Sequence, residues 1–277
     1  MTIANQYPWQ TYPEALQAAG VDWKWYFGPG TNTGQALYTY MQQYQAAQPG
    51  SPLYERALTP SPLVQFEYDA LHDRLPTVSW LFPPVANDEH PSRSPAAGAT
   101  FIASAIDAIA SNPDVWAKTA FILSYDENDG LFDHVQPPTP PTHTPQEFVS
   151  LTSPGGTPGG NLPVGRGFRV PAIIVSPWTA GGYVCSEAFD HTSQLMFLEK
   201  FTGVKAINIS DYRRQTLGDL TSAFRFNAPN YTPPVLPDTS GQALLAQYTA
   251  ANLPLPVIPG SEQSAPTQEK GKRRHVG

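Results

Sequence analysis

Short apolar runs alternate along the chain with stretches whose apolar residues recur every three or four positions. The runs predict buried strands, and the stripes predict helices with one buried face. Strands are predicted at residues 23–27, 77–81, 119–123 and 170–176. Helices are predicted at residues 12–19 and 63–73, along the stripes at 37–44 and 102–109, and over the residues that end at Gly203. Strands that alternate with helices favour an α/β domain in which helices flank a largely parallel sheet.

Two of these helices carry end signals. Thr11 and Glu14 have the spacing of a capping box at the start of the first helix. Asp190 or Thr192 is predicted to cap the helix that ends at Gly203, because short polar side chains bind the free N–H groups of a first turn. Three apolar residues of that helix are predicted to face the core: Leu195, Leu198 and Phe201.

The pattern predicts one folded unit, residues 1–252, followed by a disordered tail, residues 253–277. The tail is rich in Pro and Gln and ends in a small basic cluster. Within the folded unit, residues 137–167 are rich in Pro, Thr and Gly and show no periodicity. Irregular segments of this length are usually functional loops, so a mobile loop is predicted there.

Composition and charge exclude several classes of protein. The formal net charge of −7 argues against a nucleic-acid partner, because no basic stripe is available to neutralise phosphates. The single cysteine, Cys185, excludes internal disulfides and a cysteine-rich zinc site. No apolar stretch approaches the ~20 residues of a membrane span. Residues 1–10 lack the charged start and the apolar run of a signal peptide, so no export signal is predicted and the localisation is left open.

Acidic residues follow the predicted strand at 119–123. They lie in residues 125–131, where the strand would leave the sheet. Ligands of open α/β sheets bind beyond the carboxyl ends of strands, and carboxylate oxygens suit hard divalent cations. Asp126 and Glu127 are therefore candidate ligands of a divalent metal. The alternative is a polar turn in which Gly130 supplies the residue with positive φ.

Three histidines stand beside acidic residues, in segments that follow predicted strands or an apolar approach: His90, His134 and His191. Imidazole and carboxylate groups are the usual ligands of zinc or manganese, and histidine is the natural general acid near neutral pH. Loops that leave one edge of the sheet would bring these pairs together. The alternative is that each is a solvated loop residue or part of a helix cap. The other three histidines are assigned to structure or solvent: His72, His143 and His275.

Aromatic residues are concentrated near the start of the chain. They are predicted to fill the core, and the alternative is that some of them line a lipid-headgroup pocket, where aromatic faces hold a quaternary ammonium. The residues concerned are Trp23, Trp25, Tyr26, Tyr38, Tyr40 and Tyr44.

The segments that contain these candidate residues resemble the bacterial phosphoesterase family that includes the phosphatidylcholine-type phospholipases C and a related acid phosphatase. The likeness runs from about residue 9 to about residue 226 and rests on residues 9–24, 89–92, 124–135, 168–199 and 217–226. It implies an alkaline-phosphatase-like α/β fold that hydrolyses phosphate esters with a hydroxyl nucleophile beside a divalent metal. It also implies that Asp126 and Glu127 bind the metal, and that His90, His134 and His191 contact metal or phosphate.

The sequence also departs from the family pattern in one respect. The N-terminal half of the family fold, with further metal ligands and the nucleophile, has no counterpart, so an incomplete fold with a missing N-terminal half is expected. Ser124 and Thr192 are the hydroxyl groups that could replace the nucleophile locally.

Three functions stay open. The first is a phospholipase C that acts on phosphatidylcholine-type lipids, with contact to a membrane surface. The second is a phosphomonoesterase of the same fold, an acid phosphatase. The third is an inactive remnant or a subunit that depends on a partner. The family is largely secreted or bound at the cell surface.

Overall fold

The computed structural model describes residues 7–29, 40–91, 93–131, 133–149, 160–254 and residue 260. In these ranges the strands are β1 Trp23–Tyr26, β2 Val78–Leu81, β3 Phe121–Ser124 and β4 Ala172–Val175. The helices are α1 Tyr12–Ala18, α2 Gln42–Ala46, α3 Pro52–Ala57, α4 Leu63–Leu71, α5 Pro95–Ala110, α6 Pro113–Trp116, α7 His191–Thr202, α8 Asp211–Thr216 and α9 Gln242–Asn252. Short 3-10 turns lie at Val85–Asn87 and Thr221–Ala223. The predicted mixture of helices and strands is confirmed.

The strands form two separate pairs in the described part of the chain. β1 and β2 are parallel, with Trp23 opposite Val78. β3 and β4 are antiparallel, with Phe121 opposite Val175. The prediction of one largely parallel sheet is therefore wrong for these residues. A parallel pair needs a long crossover, which helices α2, α3 and α4 provide between β1 and β2. No described helix lies between β3 and β4, whose antiparallel arrangement does not need one.

Strand β1 separates two groups of buried side chains, because successive residues of a strand point to opposite faces. Trp23 and Trp25 belong to one cluster, with Leu16 of α1 and Met196 of α7. Tyr26 points the other way, into a second cluster. The second cluster draws on α4, α5 and α6 and includes Phe66, Ala105, Ile109 and Trp116. The prediction that the aromatic residues fill the core is confirmed for Trp23, Trp25, Tyr26 and Tyr44. Tyr40 is 37% exposed, and Tyr38 lies outside the described residues.

Helix α7 begins and ends where the sequence predicts. Asp190 is its N-cap and Gly203, with a φ of 74°, is its C-cap. The prediction about its inward face is wrong for Phe201, which is 60% exposed. At 100° per residue, Phe201 lies about 140° around the helix from Met196, which is buried. Leu195 and Leu198 pack against the first cluster as predicted.

The described flanks of the long irregular segment are held in place by hydrogen bonds. The Val149 N–H donates to the carbonyl oxygen of Leu162 at 2.8 Å, and the Val164 N–H donates to that of Glu147 at 2.8 Å. Residues 150–159 lie outside the described residues, so the mobility of this loop stays a prediction. The predicted tail lies outside them as well, apart from residues 253, 254 and 260. None of the helices in the described ranges is long and apolar enough to cross a bilayer.

Candidate active site

The acidic segment after β3 forms a turn at the surface. Gly130 has a φ of 81°, and the Leu131 N–H donates to the Asp129 carboxylate at 3.0 Å. The alternative of a polar turn with a positive φ at Gly130 therefore describes the backbone correctly. Asp126 and Glu127 are both exposed at the start of this turn. The turn thus presents two adjacent carboxylates to solvent, and its conformation does not decide whether they bind a metal.

The imidazole of His191 lies against this turn. Its Nε2 atom is 2.8 Å from the carbonyl oxygen of Asp126. Because a carbonyl oxygen only accepts hydrogen bonds, Nε2 carries the proton. In a neutral ring Nδ1 is then the atom with the lone pair, which suits a base or a metal ligand. Residues 65 positions apart in the sequence are thereby brought into direct contact, as the prediction of a shared site requires.

The segment that contains His90 also contacts the end of β3, through the neighbouring residue Glu89. The hydroxyl of Tyr125 donates to the Glu89 carboxylate, and this contact raises the pKa of Tyr125 to about 12. Glu89 has a φ of 57°, a conformation that non-glycine residues adopt at a cost. Its side chain lies over Gly98 of α5, where a Cβ atom would be 1.9 Å from Glu89 Oε1. Through Glu89, the loop after β2 thus contacts both α5 and the residue that follows β3.

The rings of the other two candidate histidines do not make such contacts in the described part of the chain. His90 is exposed, and its Nδ1 is 3.1 Å from the carbonyl oxygen of Pro91. The ring of His134 is also exposed, and its Nδ1 lies 3.7 Å from Asp133. Asp133 forms a two-pronged ion pair with Arg169, just before β4. The structure therefore joins His191 to Asp126 directly and brings His90 near only through Glu89.

The donor atoms of the described residues form an incomplete metal site. Asp126 and Glu127 offer carboxylate oxygens, which suit hard divalent cations. However, no group of three or more His, Cys, Asp or Glu side chains in the described ranges is placed to hold a metal ion. A cation bound at Asp126 and Glu127 would need further ligands from elsewhere. The metal assignment stays a prediction.

A buried ionic cluster lies directly behind His191. Arg213 of α8 contacts Glu147 through Nε and Nη2, both at 2.9 Å, and it contacts Asp190 through Nη1. Burial alone would lower the pKa of the Arg213 guanidinium, but the contacts with Glu147 and Asp190 outweigh it and raise the pKa. Ser210 donates a hydrogen bond to Glu147 as well. Asp190 is therefore committed to the cap of α7 and to Arg213.

The two hydroxyl groups considered as local nucleophiles differ in their surroundings. The Thr192 hydroxyl donates to the capping carboxylate of Asp190 at 2.6 Å, so its oxygen is held in the first turn of α7. The Ser124 hydroxyl donates to the carbonyl oxygen of Tyr125 at 3.1 Å. Neither contact pairs a hydroxyl with a histidine base, which is the arrangement that activates a nucleophilic hydroxyl.

Comparison with known proteins identifies the family of this chain. The model of the Phosphoesterase family matches residues 1–205. The chain belongs to the phosphoesterase family. The resemblance predicted from the motifs is thus confirmed, and the α/β character of the structure is consistent with it.

Curated relatives of this phosphoesterase are named phospholipases C. A non-hemolytic phospholipase C from Burkholderia pseudomallei is 42% identical over 96% of this chain and 43% of its own length. A second one, from Pseudomonas aeruginosa, is 43% identical over 98% of this chain and 41% of its own length. Phospholipase C A from Mycobacterium tuberculosis is 44% identical over 84% of this chain and 46% of its own length. The chain therefore spans less than half the length of these relatives.

These alignments also bear on the expected missing N-terminal half. The first two of these relatives align over 96–98% of this phosphoesterase, and the alignments give no support to that expectation.

Sequence patterns did not reveal the buried ionic cluster around Arg213 in this phosphoesterase, nor the contacts of Glu89 with Tyr125 and Gly98. Glu147 lies in a segment that looks like a polar loop, and its partner Arg213 is 66 residues away. Neither Tyr125 nor Gly98 stands in a local pattern that indicates their contacts with Glu89. Asp190 is the one member of the cluster that the sequence indicated, because it was predicted as a possible cap of the helix that begins at His191.

Proposed function

We propose that this phosphoesterase hydrolyses phosphate esters as a phospholipase C, with phosphatidylcholine-type lipids as substrates. The names of relatives that are 42–44% identical over most of the chain support this function. The observation that carries the site is the hydrogen bond from His191 Nε2 to the Asp126 carbonyl oxygen. It joins residues 124–135 and 168–199, two of the segments on which the family resemblance rests.

In this proposal His191 moves the proton. Hydrolysis breaks the P–O bond to the diacylglycerol, transfers the hydroxyl of water to phosphorus, and leaves a proton for the departing alkoxide. Histidine titrates near neutral pH, so its ring can both accept and return that proton. The Asp126 carbonyl holds Nε2–H, so the exchangeable position is Nδ1. His90 and His134 are proposed to contact the phosphate.

Asp126 and Glu127 are proposed to bind a divalent cation together with ligands outside the described set. Such a cation lowers the pKa of a nucleophile and offsets charge on phosphoryl oxygens.

An exposed apolar residue in the same turn supports a lipid substrate. Leu131 follows the acidic residues and is 70% exposed. Its carbonyl oxygen accepts a hydrogen bond from the Asn128 side chain at 3.0 Å, which fixes the residue beside the candidate site. Apolar side chains held at a surface are typical of contacts with lipid or protein. We propose that Leu131 touches the membrane surface while a headgroup reaches the acidic turn.

The test is an assay of the purified chain on phosphatidylcholine vesicles and on p-nitrophenyl phosphate, with and without added Mg²⁺, Mn²⁺ or Zn²⁺. Release of phosphocholine from the vesicles supports the phospholipase C, and His191→Gln should abolish it. The matched control is His72→Gln, because His72 lies at the end of α4 with its ring stacked on Tyr68. Hydrolysis of the aryl phosphate alone would favour the phosphomonoesterase. Hydrolysis of neither substrate would contradict the proposal and favour an inactive or partner-dependent chain.

A further inference from the structure

Three distant segments of the chain meet at the guanidinium of Arg213. Besides Glu147 and Asp190, Arg213 Nη2 donates to the carbonyl oxygen of Gly165 at 2.7 Å. Glu147 and Gly165 belong to the described flanks of the long irregular segment, whereas Asp190 begins α7. One side chain of α8 thus connects both flanks of that segment to the start of the helix that carries His191.

The members of this cluster are buried, unlike those of an ordinary surface ion pair. Their side chains are 14% exposed for Arg213, 2% for Glu147 and 7% for Asp190. Surface ion pairs contribute little to stability or geometry because both partners are mobile and hydrated. In a buried cluster, removing one partner leaves the others charged and unpaired, which is strongly destabilising.

Both oxygens of Asp190 have assigned partners. Oδ1 accepts from the Thr192 N–H at 2.8 Å and from the Thr192 hydroxyl, which fixes the first turn of α7. Oδ2 contacts Arg213. His191 lies between Asp190 and Thr192 and is the first residue of the helix. The backbone position from which its ring leaves the helix therefore depends on the placement of the Asp190 carboxylate.

We propose that Arg213 is a positioning residue that holds His191 against the Asp126 carbonyl oxygen. This inference rests on the proposed function, in which His191 transfers the proton. Arginine fits the role because its planar fork can grip Glu147 with two donors and still present a third donor to Asp190. A lysine has the same charge but a single donor centre, so it cannot hold both carboxylates in this geometry.

The neighbouring arginine provides a matched control. Arg214 also forms a two-pronged ion pair from α8, with Glu199 at 2.7 and 2.8 Å. Glu199 lies in the last turn of α7, and Arg214 also donates to the carbonyl oxygen of Ala206 at 2.7 Å. Arg214 therefore makes the same kind of contact with the opposite end of the same helix, away from His191.

The experiment compares Arg213→Lys with Arg214→Lys by two readouts. The first is the ¹⁵N NMR spectrum of the histidine rings, in which His191 is assigned by its loss in His191→Gln. The second is kcat and KM on phosphatidylcholine vesicles. For Arg213→Lys we expect the His191 ring signals to move and kcat to fall on the order of 10- to 100-fold at nearly constant KM, because small misplacements of a proton carrier are costly. For Arg214→Lys we expect neither change.

A second variant keeps the inference testable if Arg213→Lys does not fold. Glu147→Gln keeps the shape of the partner but removes the charge that orients the guanidinium, and it should also move the His191 ring signals. Unchanged ring signals in Arg213→Lys and Glu147→Gln would overturn the inference, as would equal changes in Arg213→Lys and Arg214→Lys. If the wild-type chain hydrolyses nothing, the proposed function fails, while the NMR spectra still decide whether Arg213 positions His191.

Discussion

The side chain of Glu89 occupies the space that a Cβ atom would need at Gly98. That atom would lie 1.9 Å from Glu89 Oε1 and 2.3 Å from Glu89 Cγ. The absence of a side chain at Gly98 thus allows Glu89 to turn from the loop after β2 toward the Tyr125 hydroxyl at the end of β3. A glycine within α5, here at its fourth residue, costs helix stability, and it permits a contact between two segments of the candidate site.

Gly98→Ala should therefore leave the free energy of unfolding nearly unchanged in the wild type and raise it in a background that lacks the Glu89 side chain. In the wild type, the gain in helix propensity of about 1 kcal/mol is offset by displacement of Glu89 and loss of its hydrogen bond, worth about 1 kcal/mol. In Glu89→Ala, which removes the clash, the same substitution should stabilise the protein by about 1 kcal/mol. Urea unfolding of the four proteins measures both effects. Equal effects in the two backgrounds would show that Glu89 does not occupy the space at Gly98.

The hydrogen bond from Tyr125 to Glu89 predicts a pH dependence of stability. It raises the pKa of Tyr125 from 10.0 to about 12, which means that folding favours the protonated phenol. The stabilisation is fully present below the unfolded pKa and is lost as pH rises through the folded one. At pH 8 the free energy of unfolding of the wild type should exceed that of Tyr125→Phe by about 1 kcal/mol. This difference should shrink as the pH rises from about 10 toward about 12.

The control for this pH dependence is Glu89→Gln. It removes the carboxylate that raises the pKa, so in that background Tyr125→Phe should show a smaller pH-dependent difference. Guanidinium unfolding followed by circular dichroism at pH 8, 9, 10 and 11 gives the free energies. A difference between wild type and Tyr125→Phe that stays constant over this range would contradict the role of the Tyr125 proton.

The strands could be predicted from the sequence to within two residues, whereas their pairing could not. An apolar run shows that a segment is buried, but it carries no information about which strand lies beside it or in which direction. β3 therefore appeared where residues 119–123 suggested, yet its antiparallel partner was unexpected. Likewise the stripe that predicted α7 misplaced Phe201, because spacing by threes drifts around a helix of 3.6 residues per turn.

The candidate site was partly predictable for a similar reason. Asp126 and His191 stood out because each lies in a local pattern with known chemistry, and the structure brings them into contact. Glu147 could not be found this way, because its burial depends on Arg213 and Ser210, which lie 66 and 63 residues away. Local pattern identifies reactive groups, but the residues that orient them are determined by tertiary packing.

The end of helix α7 should depend on the glycine that terminates it. Gly203 has a φ of 74°, and its N–H donates to the Glu199 carbonyl oxygen at 2.8 Å. A Cβ atom makes this left-handed conformation unfavourable, so Gly203→Ala should lower the free energy of unfolding by about 1 kcal/mol. Gly28→Ala is the control, since Gly28 does not have a positive φ and no atom lies within 4 Å of its would-be Cβ. A similar loss in both variants, measured by urea unfolding, would contradict the role of positive φ at Gly203.

The predicted metal ligands should make thermal stability depend on divalent cations. A ligand that binds only the folded state at about 100 times its Kd adds about 2.7 kcal/mol of stability, so millimolar Mn²⁺, Mg²⁺ or Zn²⁺ should raise the Tm of the wild type. Asp126→Ala combined with Glu127→Ala removes both exposed carboxylates and should abolish the rise. Thermal-shift titrations of each protein with each cation measure it.

Net charge has to be separated from direct ligation in this experiment, because removing two negative charges weakens any nonspecific attraction of cations. Asp107→Ala combined with Asp114→Ala removes two exposed carboxylates from α5 and α6, and that variant should keep the full response to cations. If the Asp126/Glu127 variant responds as strongly as the wild type, these residues are not ligands. If both double variants lose the response equally, the cations act through overall charge, and the turn after β3 is a polar turn without a metal.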